Sequence, residues 1–420
     1  MASGAGRVLL ALAGAGTLVQ LSIVRLVLLR GRGERVRAPR GGLGVSVLKP
    51  LSGVDDGLEE NLRSFVDQRT DGCPYEVLLG VRDVKDAAYP LARAVARRWP
   101  HVFRVVVQQG APGLNPKVNQ LLTLERAARH ALLVISDSNV RVPEDYLAGV
   151  VRALEEPEVG LVTHPVVGEG ERNLGALLDN LQMACGVGAG MIAAKHGAGR
   201  DVVVGKSMAL RRADLARLGG FEAVKDLLAE DFVLGKWVRE RLGKRVEVAP
   251  HCVLAVSTHK RVGDFYARYK RWSVIQRSLV PLPTYAAQLF LHPGPLALIG
   301  ALLWPRRRAL ALAGAVVGLK AVCDFTVARA MRPSRLPWRT LLALPLKDTL
   351  LFMAWARGFV RRSVEWRGHS LRVGRGSRLL AHRAGAGAAT RRASSRRDFP
   401  REVRPSGTLR GPAAAPSYAP

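Results

Sequence analysis

Five short stretches of this chain carry the residue types that chemistry needs. LLGVRDVKD places Asp83 just past the apolar run Tyr75 to Val81. GLNPKVNQL places Lys117 directly after an Asn-Pro turn. LLVISDSNV puts Asp137 after the apolar run Leu132 to Ile135, with Asn139 two residues on. LLAEDFVLGKWV opens a helical apolar pattern with Glu230 and Asp231, and RYKRW gathers Arg268, Arg271 and Trp272 within five residues.

Each stretch has a chemical reading and a plainer one. An aspartate at a strand end can hold a divalent cation against a diphosphate, since magnesium is usually held by one or two carboxylates plus phosphate oxygens. Asp137 fits that description, though Asp-Ser-Asn is also a common turn; Asp83 is a second carboxylate at a strand end, where an aspartate often caps the next helix. Asp86 suits the capping duty better than Asp83, because the helical pattern begins at Ala87. Lys117 at a helix start opposes the helix dipole unless it faces an anion. Glu230 and Asp231 in a first turn are stabilised by that dipole, and either could instead act as a general base in a cleft. RYKRW suits an anion and a stacked ring, or an interfacial helix with its aromatic residues at a lipid surface.

These residues need elements to position them. Val45 to Leu48, Tyr75 to Val81, Phe103 to Val107 and Leu132 to Ile135 read as buried strands. Helical spacing falls between them over Leu58 to Val66, Ala87 to Trp99 and Leu121 to His130. Strands alternating with helices predict a doubly wound, mostly parallel α/β sheet, whose ligands sit beyond the carboxyl ends of the strands. Asp83 and Asp137 occupy two such ends.

Outside this region the composition changes. Val8 to Leu29 is apolar enough to cross a bilayer and is followed by Arg30, Arg32, Arg35, Arg37 and Arg40. That basic flank puts the following domain on the cytoplasmic side by the positive-inside rule. Tyr285 to Leu303, Ala309 to Val322 and Leu341 to Trp355 form further apolar stretches bordered by arginine clusters, so two or three C-terminal membrane helices are expected. The chain therefore divides into an anchor over 1–30, a basic linker over 31–43, a catalytic domain over 44–280, membrane-associated helices over 281–373, and a basic tail over 374–420 whose composition predicts disorder. The net charge of +30 fits an anionic membrane surface. Nucleic acid is disfavoured, because no zinc spacing, aromatic-interleaved basic patch or RNA motif is present. Four scattered cysteines, Cys73, Cys185, Cys252 and Cys323, read as isolated thiols of a reducing compartment, and no obligate protein partner is evident.

The ordered set of motifs resembles the ceramide glucosyltransferase family and its neighbours, the bacterial hopanoid-associated glycosyltransferases. The resemblance runs from SVLKPLSGVDDGLEENLRSF through VGKSMALRRADLARLGGF to SVEWRGHSL and leaves out the tail. It implies a glycosyltransferase-A type fold, a UDP-sugar donor, a membrane-lipid acceptor, inversion at the anomeric carbon, and Mg2+ or Mn2+ weakly held at Asp137. By the same resemblance Asp83 lies near uracil and ribose, and Asp231 is the catalytic base, with Glu230 beside it in the donor site. Arg268, Arg271 and Trp272 match an (R/Q)xxRW motif that holds the diphosphate and shapes the acceptor site. Lys117 is a sugar-nucleotide contact. Asn139 departs from the Asp-x-Asp of many related transferases; it leans toward the ceramide branch and weakens metal binding. A hopanoid-lipid N-acetylglucosaminyl transferase and a polysaccharide synthase are the alternative activities, and a catalytically dead lipid-binding scaffold is the non-enzymatic one. The arginine and alanine bias points to a high-GC bacterium and hence its inner membrane.

Overall fold

The computed structural model describes residues 2–30, 38–70, 72–361, 363–366 and 369–380. It opens with helix α1 (Ala2–Arg30). The α/β region follows as β1 (Val45–Pro50), α2 (Leu58–Arg63), β2 (Tyr75–Val81), α3 (Tyr89–Arg98), β3 (Phe103–Val107), α4 (Pro116–Ala127), β4 (Leu132–Ser136), β5 (Val140–Arg141), α5 (Tyr146–Leu154), β6 (Val159–Thr163) and β7 (Val166–Glu169). Next come α6 (Leu174–Gln182), a π turn over Met183–Gly188, α7 (Ala189–Ala198), β8 (Ser207–Arg211), α8 (Arg212–Arg217), α9 (Glu230–Leu242), β9 (Arg245–Val248) and β10 (Val253–Val256). Helices α10 (Val262–Leu279), α11 (Leu282–Ala287), α12 (Pro293–Leu303), α13 (Arg307–Met331) and α14 (Leu344–Gly358) precede strands β11 (Ser363–Trp366), β12 (His369–Val373) and β13 (Leu379–Leu380).

Seven strands form the main sheet in the order β3-β2-β1-β4-β8-β6-β9. The four strands expected from sequence pair in parallel, and β8 runs antiparallel between β4 and β6. Side chains alternate across a strand, and here the alternation fills two cores. Val45, Val47, Val77, Leu79 and Val134 face one layer with Phe65, Tyr146 and Val150. Leu48, Leu78, Leu133 and Ile135 face the other with Val118, Leu121 and Leu234. A sheet buried on both faces explains why its strands read as continuous apolar runs. A small sheet, β5-β10-β7, sits beside it and takes Asn139 O as acceptor from Val256 N at 2.9 Å.

Among the described residues, three helices are long and apolar enough to cross a membrane: Ser3–Arg30, Leu174–Ala198 and Arg307–Met331. A bent pair, Leu282–Leu291 with Pro293–Leu303 at 80°, could make a fourth. Its break coincides with His292-Pro293-Gly294-Pro295, where prolines interrupt the backbone ladder. The span at Leu174–Ala198 lies inside the segment expected to be the catalytic domain, where Asp179, Asn180 and Lys195 dilute its apolar run. Helix α14 carries Lys347 and Asp348 in an otherwise apolar stretch. The structure pairs Lys347 with Asp324 at 3.0 Å and Asp348 at 2.7 Å, and Lys320 with Asp324 and Asp348. Charges buried among apolar helices survive only when mutually paired, so this quartet accounts for their presence.

Helix α1 packs against α12 through glycines. A Cβ on Gly6 would lie 2.7 Å from Gly300 O, and one on Gly300 would lie 2.9 Å from Gly6 O. Close backbone approach of this kind is the usual contact between helices in lipid. Ordered chain continues past Gly374, where the tail was expected to begin. Strand β13 pairs with β12, Ser377 is buried, and its Oγ accepts from Ala229 N at 3.2 Å. The rest of the expected tail and most of the basic linker lie outside the described residues.

Candidate active site

The carboxyl end of β4, the loop before β8 and the first turns of α4 and α9 meet at one point. Asn115 builds this junction. Its Oδ1 caps α4 by accepting from Lys117 N at 3.0 Å and Val118 N at 3.3 Å. Its Nδ2 donates to Leu227 O at 2.6 Å and to Glu230 Oε2 at 3.1 Å. One asparagine thereby fixes the start of α4 to the start of α9, and the Asn-Pro turn acquires a tertiary purpose.

Lys117 occupies the centre. Its ammonium lies 3.0 Å from Asp137 Oδ1 and 3.2 Å from Glu230 Oε1, and donates to Gly205 O at 3.0 Å. The helix-start lysine thus faces anions, as its position demanded, but the anions belong to the protein. Burial works against its charge, yet the carboxylates of Asp137, Glu230 and Asp231 outweigh that and hold its pKa above the ordinary lysine value.

The three carboxyl groups are not equivalent. Burial pushes Asp137 up, but the ammonium groups of Lys117 and Lys206 more than reverse this and leave its pKa below the usual range. Glu230 is buried, and its carboxyl is engaged by Lys117 and Asn115; burial raises its pKa against the pull of Lys117. Asp231 is half-buried. Its Oδ1 accepts from Phe232 N at 2.8 Å and its Oδ2 from Gly205 N. Burial nevertheless raises its pKa, with Lys117 and the two N–H groups opposing. Of the adjacent pair, then, Asp231 is the accessible carboxyl with an elevated pKa, which is what a general base near neutral pH requires. Glu230 is the buried group that orients Lys117.

Two further lysines surround Asp137, and sequence reasoning assigned neither. Lys206 donates to Asn139 Oδ1 at 2.7 Å and lies 3.6 Å from Asp137 Oδ2. Lys49 is wholly buried and donates to Asp137 O at 2.7 Å, Ser136 Oγ at 3.2 Å and Val140 O at 3.3 Å. Their convergence depends on β1–β4 and β4–β8 pairing, which sets Ser136 opposite Ser207. The GKS segment was part of the family resemblance, but that long-range register left no local signal.

The RYKRW residues lie on α10, beside α6. Arg268 Nη1 donates to Asp179 Oδ2 at 2.7 Å, and Lys260 Nζ donates to the same oxygen. Asp179 is 1% exposed, so it is a buried carboxylate holding two cations in place. Trp272 is half-buried, with its ring 5.4 Å from that of Tyr269 in an edge-on arrangement. Arg271, also half-buried, lies one turn from Arg268 on the same helix. Asp83 stands apart from the lysine and carboxylate cluster. It is exposed past the end of β2, and its Oδ1 accepts from Lys85 N at 2.7 Å. Asp86 takes the helix-entry role expected of it, accepting from Ala88 N and Gly53 N at 2.9 Å each.

The donor set around Asp137 does not fit a divalent cation. One carboxylate is shared by two ammonium groups, and Asn139 presents its amide oxygen to Lys206. Positive charge already stands where the metal expected at Asp137 would bring it.

Comparison with known proteins gives a family match, two curated relatives and a structural neighbour. The family model described as glycosyl transferase family 21 matches residues 9–379. Ceramide glucosyltransferase 1 of Caenorhabditis elegans is 27% identical over 240 residues, covering 57% of this chain and 51% of the relative. Ceramide glucosyltransferase of Komagataella phaffii is 34% identical over 116 residues, covering 26% of this chain and 22% of the relative. At its best the chain spans about half the length of the curated relatives it matches. Among solved structures, the mannosyltransferase PcManGT from Pyrobaculum calidifontis in complex with GDP-Man and Mn2+ aligns with a TM-score of 0.48 and 21% identity, over 86% of this chain and 99% of that one.

Proposed function

From the premise that this chain belongs to glycosyl transferase family 21, we propose that it transfers a hexose from a UDP-sugar to the hydroxyl of a membrane lipid, with ceramide as the acceptor and inversion at the anomeric carbon. The observation that carries this reading is the unequal pair Glu230 and Asp231. One carboxyl is buried and engaged; the other is accessible, raised in pKa and held by two backbone N–H groups. Relatives named as ceramide glucosyltransferases support the lipid class.

In this mechanism the donor lies over the carboxyl end of the sheet, with Asp83 at the nucleoside end and the diphosphate toward α10. The acceptor hydroxyl approaches from the membrane helices. Asp231 removes its proton as the oxygen bonds to the anomeric carbon, and the electron pair of the sugar–phosphate bond leaves on UDP. Arg271 stabilises the charge that develops there, Arg268 is oriented by Asp179, and Trp272 shapes the acceptor side. Lys117 fixes Asp137 and Glu230 in place. No step is assigned to a metal. The arginines that follow α1 put the catalytic region on the cytoplasmic face, and the composition favours a bacterial inner membrane.

The test is Asp231→Asn in the full-length chain, assayed with UDP-glucose, UDP-galactose and UDP-N-acetylglucosamine against ceramide and hopanoid acceptors, with products identified by mass spectrometry. Transfer to ceramide should vanish while UDP binding survives. Wild-type turnover in the variant would remove Asp231 from the base role, and transfer only to a hopanoid would change the acceptor.

A further inference from the structure

The three lysines around Asp137 differ in how many of their N–H groups are engaged. An ammonium carries three donors. Those of Lys49 meet Ser136 Oγ, Asp137 O and Val140 O. Lys117 donates to Gly205 O at 3.0 Å and is ion-paired with Asp137 Oδ1 at 3.0 Å and Glu230 Oε1 at 3.2 Å. Lys206 has a single hydrogen bond, to Asn139 Oδ1 at 2.7 Å; Asp137 Oδ2, at 3.6 Å, is outside hydrogen-bond reach. Two donors on Lys206 are therefore open, although its side chain is only 9% exposed. A long cationic side chain held this firmly, with donors to spare, suits an anion that arrives from outside.

Asn139 makes the difference. An aspartate there would sit within bonding distance of Lys206 and cancel its charge. The neutral amide holds the ammonium by one hydrogen bond, so its charge is offset only by the ion pair with Asp137 Oδ2 at 3.6 Å. Arg268 lies close enough to add positive potential at Lys206. The asparagine that looked like a missing metal ligand is thus the group that aims the Lys206 ammonium through a neutral hydrogen bond.

We propose that Lys206 Nζ receives the diphosphate oxygens of the nucleotide-sugar donor and supplies the charge that a divalent cation at Asp137 would otherwise supply. The inference rests on the UDP-sugar reading above. When the bond from the anomeric carbon to the diphosphate oxygen breaks, its electron pair stays on that oxygen, and the acceptor proton goes to Asp231. An ammonium with two open N–H groups can meet the new charge with two charge-assisted hydrogen bonds. No oxidant, reductant or further reactant is needed.

The test is calorimetric binding of UDP and of uridine to the full-length chain in detergent, with EDTA present. The wild type should bind UDP well ahead of uridine without metal. Lys206→Met should weaken UDP binding by roughly 10- to 100-fold, the range for lost hydrogen bonds to a charged group, and leave uridine binding unchanged. Lys206→Arg should keep part of the preference. Asn139→Asp should lower UDP affinity in EDTA and restore it when Mn2+ is added. The proposal is overturned if the wild type distinguishes UDP from uridine only with Mn2+, or if Lys206→Met folds and keeps the full preference. Should Lys206→Met fail to fold, Asn139→Asp decides: unchanged UDP affinity in EDTA refutes the proposal. A wild type that binds neither uridine nor UDP, with or without Mn2+, refutes the donor reading itself and this inference with it.

Discussion

Replacing Gly205 by alanine would aim a methyl group at the middle of the cluster. The added Cβ would lie 2.8 Å from Asp231 Oδ2, 3.0 Å from Lys117 Nζ and 3.1 Å from Asp231 Cβ. Ordinary contact begins near 3.4 Å, so Asp231 must retreat by about 0.6 Å, and a misplacement of roughly 1 Å at a reacting group can cost on the order of 100-fold in rate. Gly205 is not among the residues with positive φ, so its backbone accepts alanine and the effect is steric. The expected kcat for transfer from UDP-glucose to ceramide is about 10- to 100-fold lower, with KM for the donor little changed. Loss of the Gly205 N–H bond also removes a group that favours the ionised carboxyl. The Asp231 pKa, already raised by burial, should rise further, and the acid limb of the kcat profile should move to higher pH. The assay is initial rate against pH by product mass spectrometry, with a thermal melt to verify folding. Wild-type kcat in a folded Gly205→Ala protein would refute the placement of Asp231.

Two other perturbations read stability. Asp179→Asn leaves Arg268 and Lys260 facing each other without their shared carboxylate. Breaking such a buried pair costs about 3 kcal/mol; a lower denaturation midpoint and a raised KM for the donor should follow, and an unchanged midpoint would remove Asp179 from this role. Lys49 has its pKa lowered to about 7, by burial against the pull of Asp137. The unfolded chain keeps that proton up to about pH 10, so the folded state binds fewer protons in between. Stability should therefore rise with pH above 7, and Lys49→Met should abolish that rise in denaturation midpoints measured at neutral and alkaline pH.

The parallel half of the sheet was legible because each strand is a continuous apolar run closed by a turn; Tyr75–Val81 and Phe103–Val107 agree with the structure at both ends. The helix starts at Pro116 and Glu230 were legible from Asn-Pro and Glu-Asp. What escaped was the contribution of distant pairing. Lys206 acquires its neighbours only when β8 runs antiparallel to β4. Asp179 acquires its role only when α10 brings Arg268 and Lys260 to it. Lys117 was recognised as needing an anion, but no local pattern could tell a substrate phosphate from Asp137 and Glu230.

The glycine contact between α1 and α12 has a consequence for how the protein is made. Gly6 and Gly300 touch through their backbones, yet nearly 300 residues separate them. At roughly 5 to 20 residues per second, the first helix leaves the ribosome about 15 to 60 s before its partner exists. Throughout that interval the small-residue face of α1 has no mate from its own chain, while the α/β region can already collapse. The last helices to be synthesised therefore close the circuit, and the folding of this membrane bundle is timed by its carboxyl-terminal third.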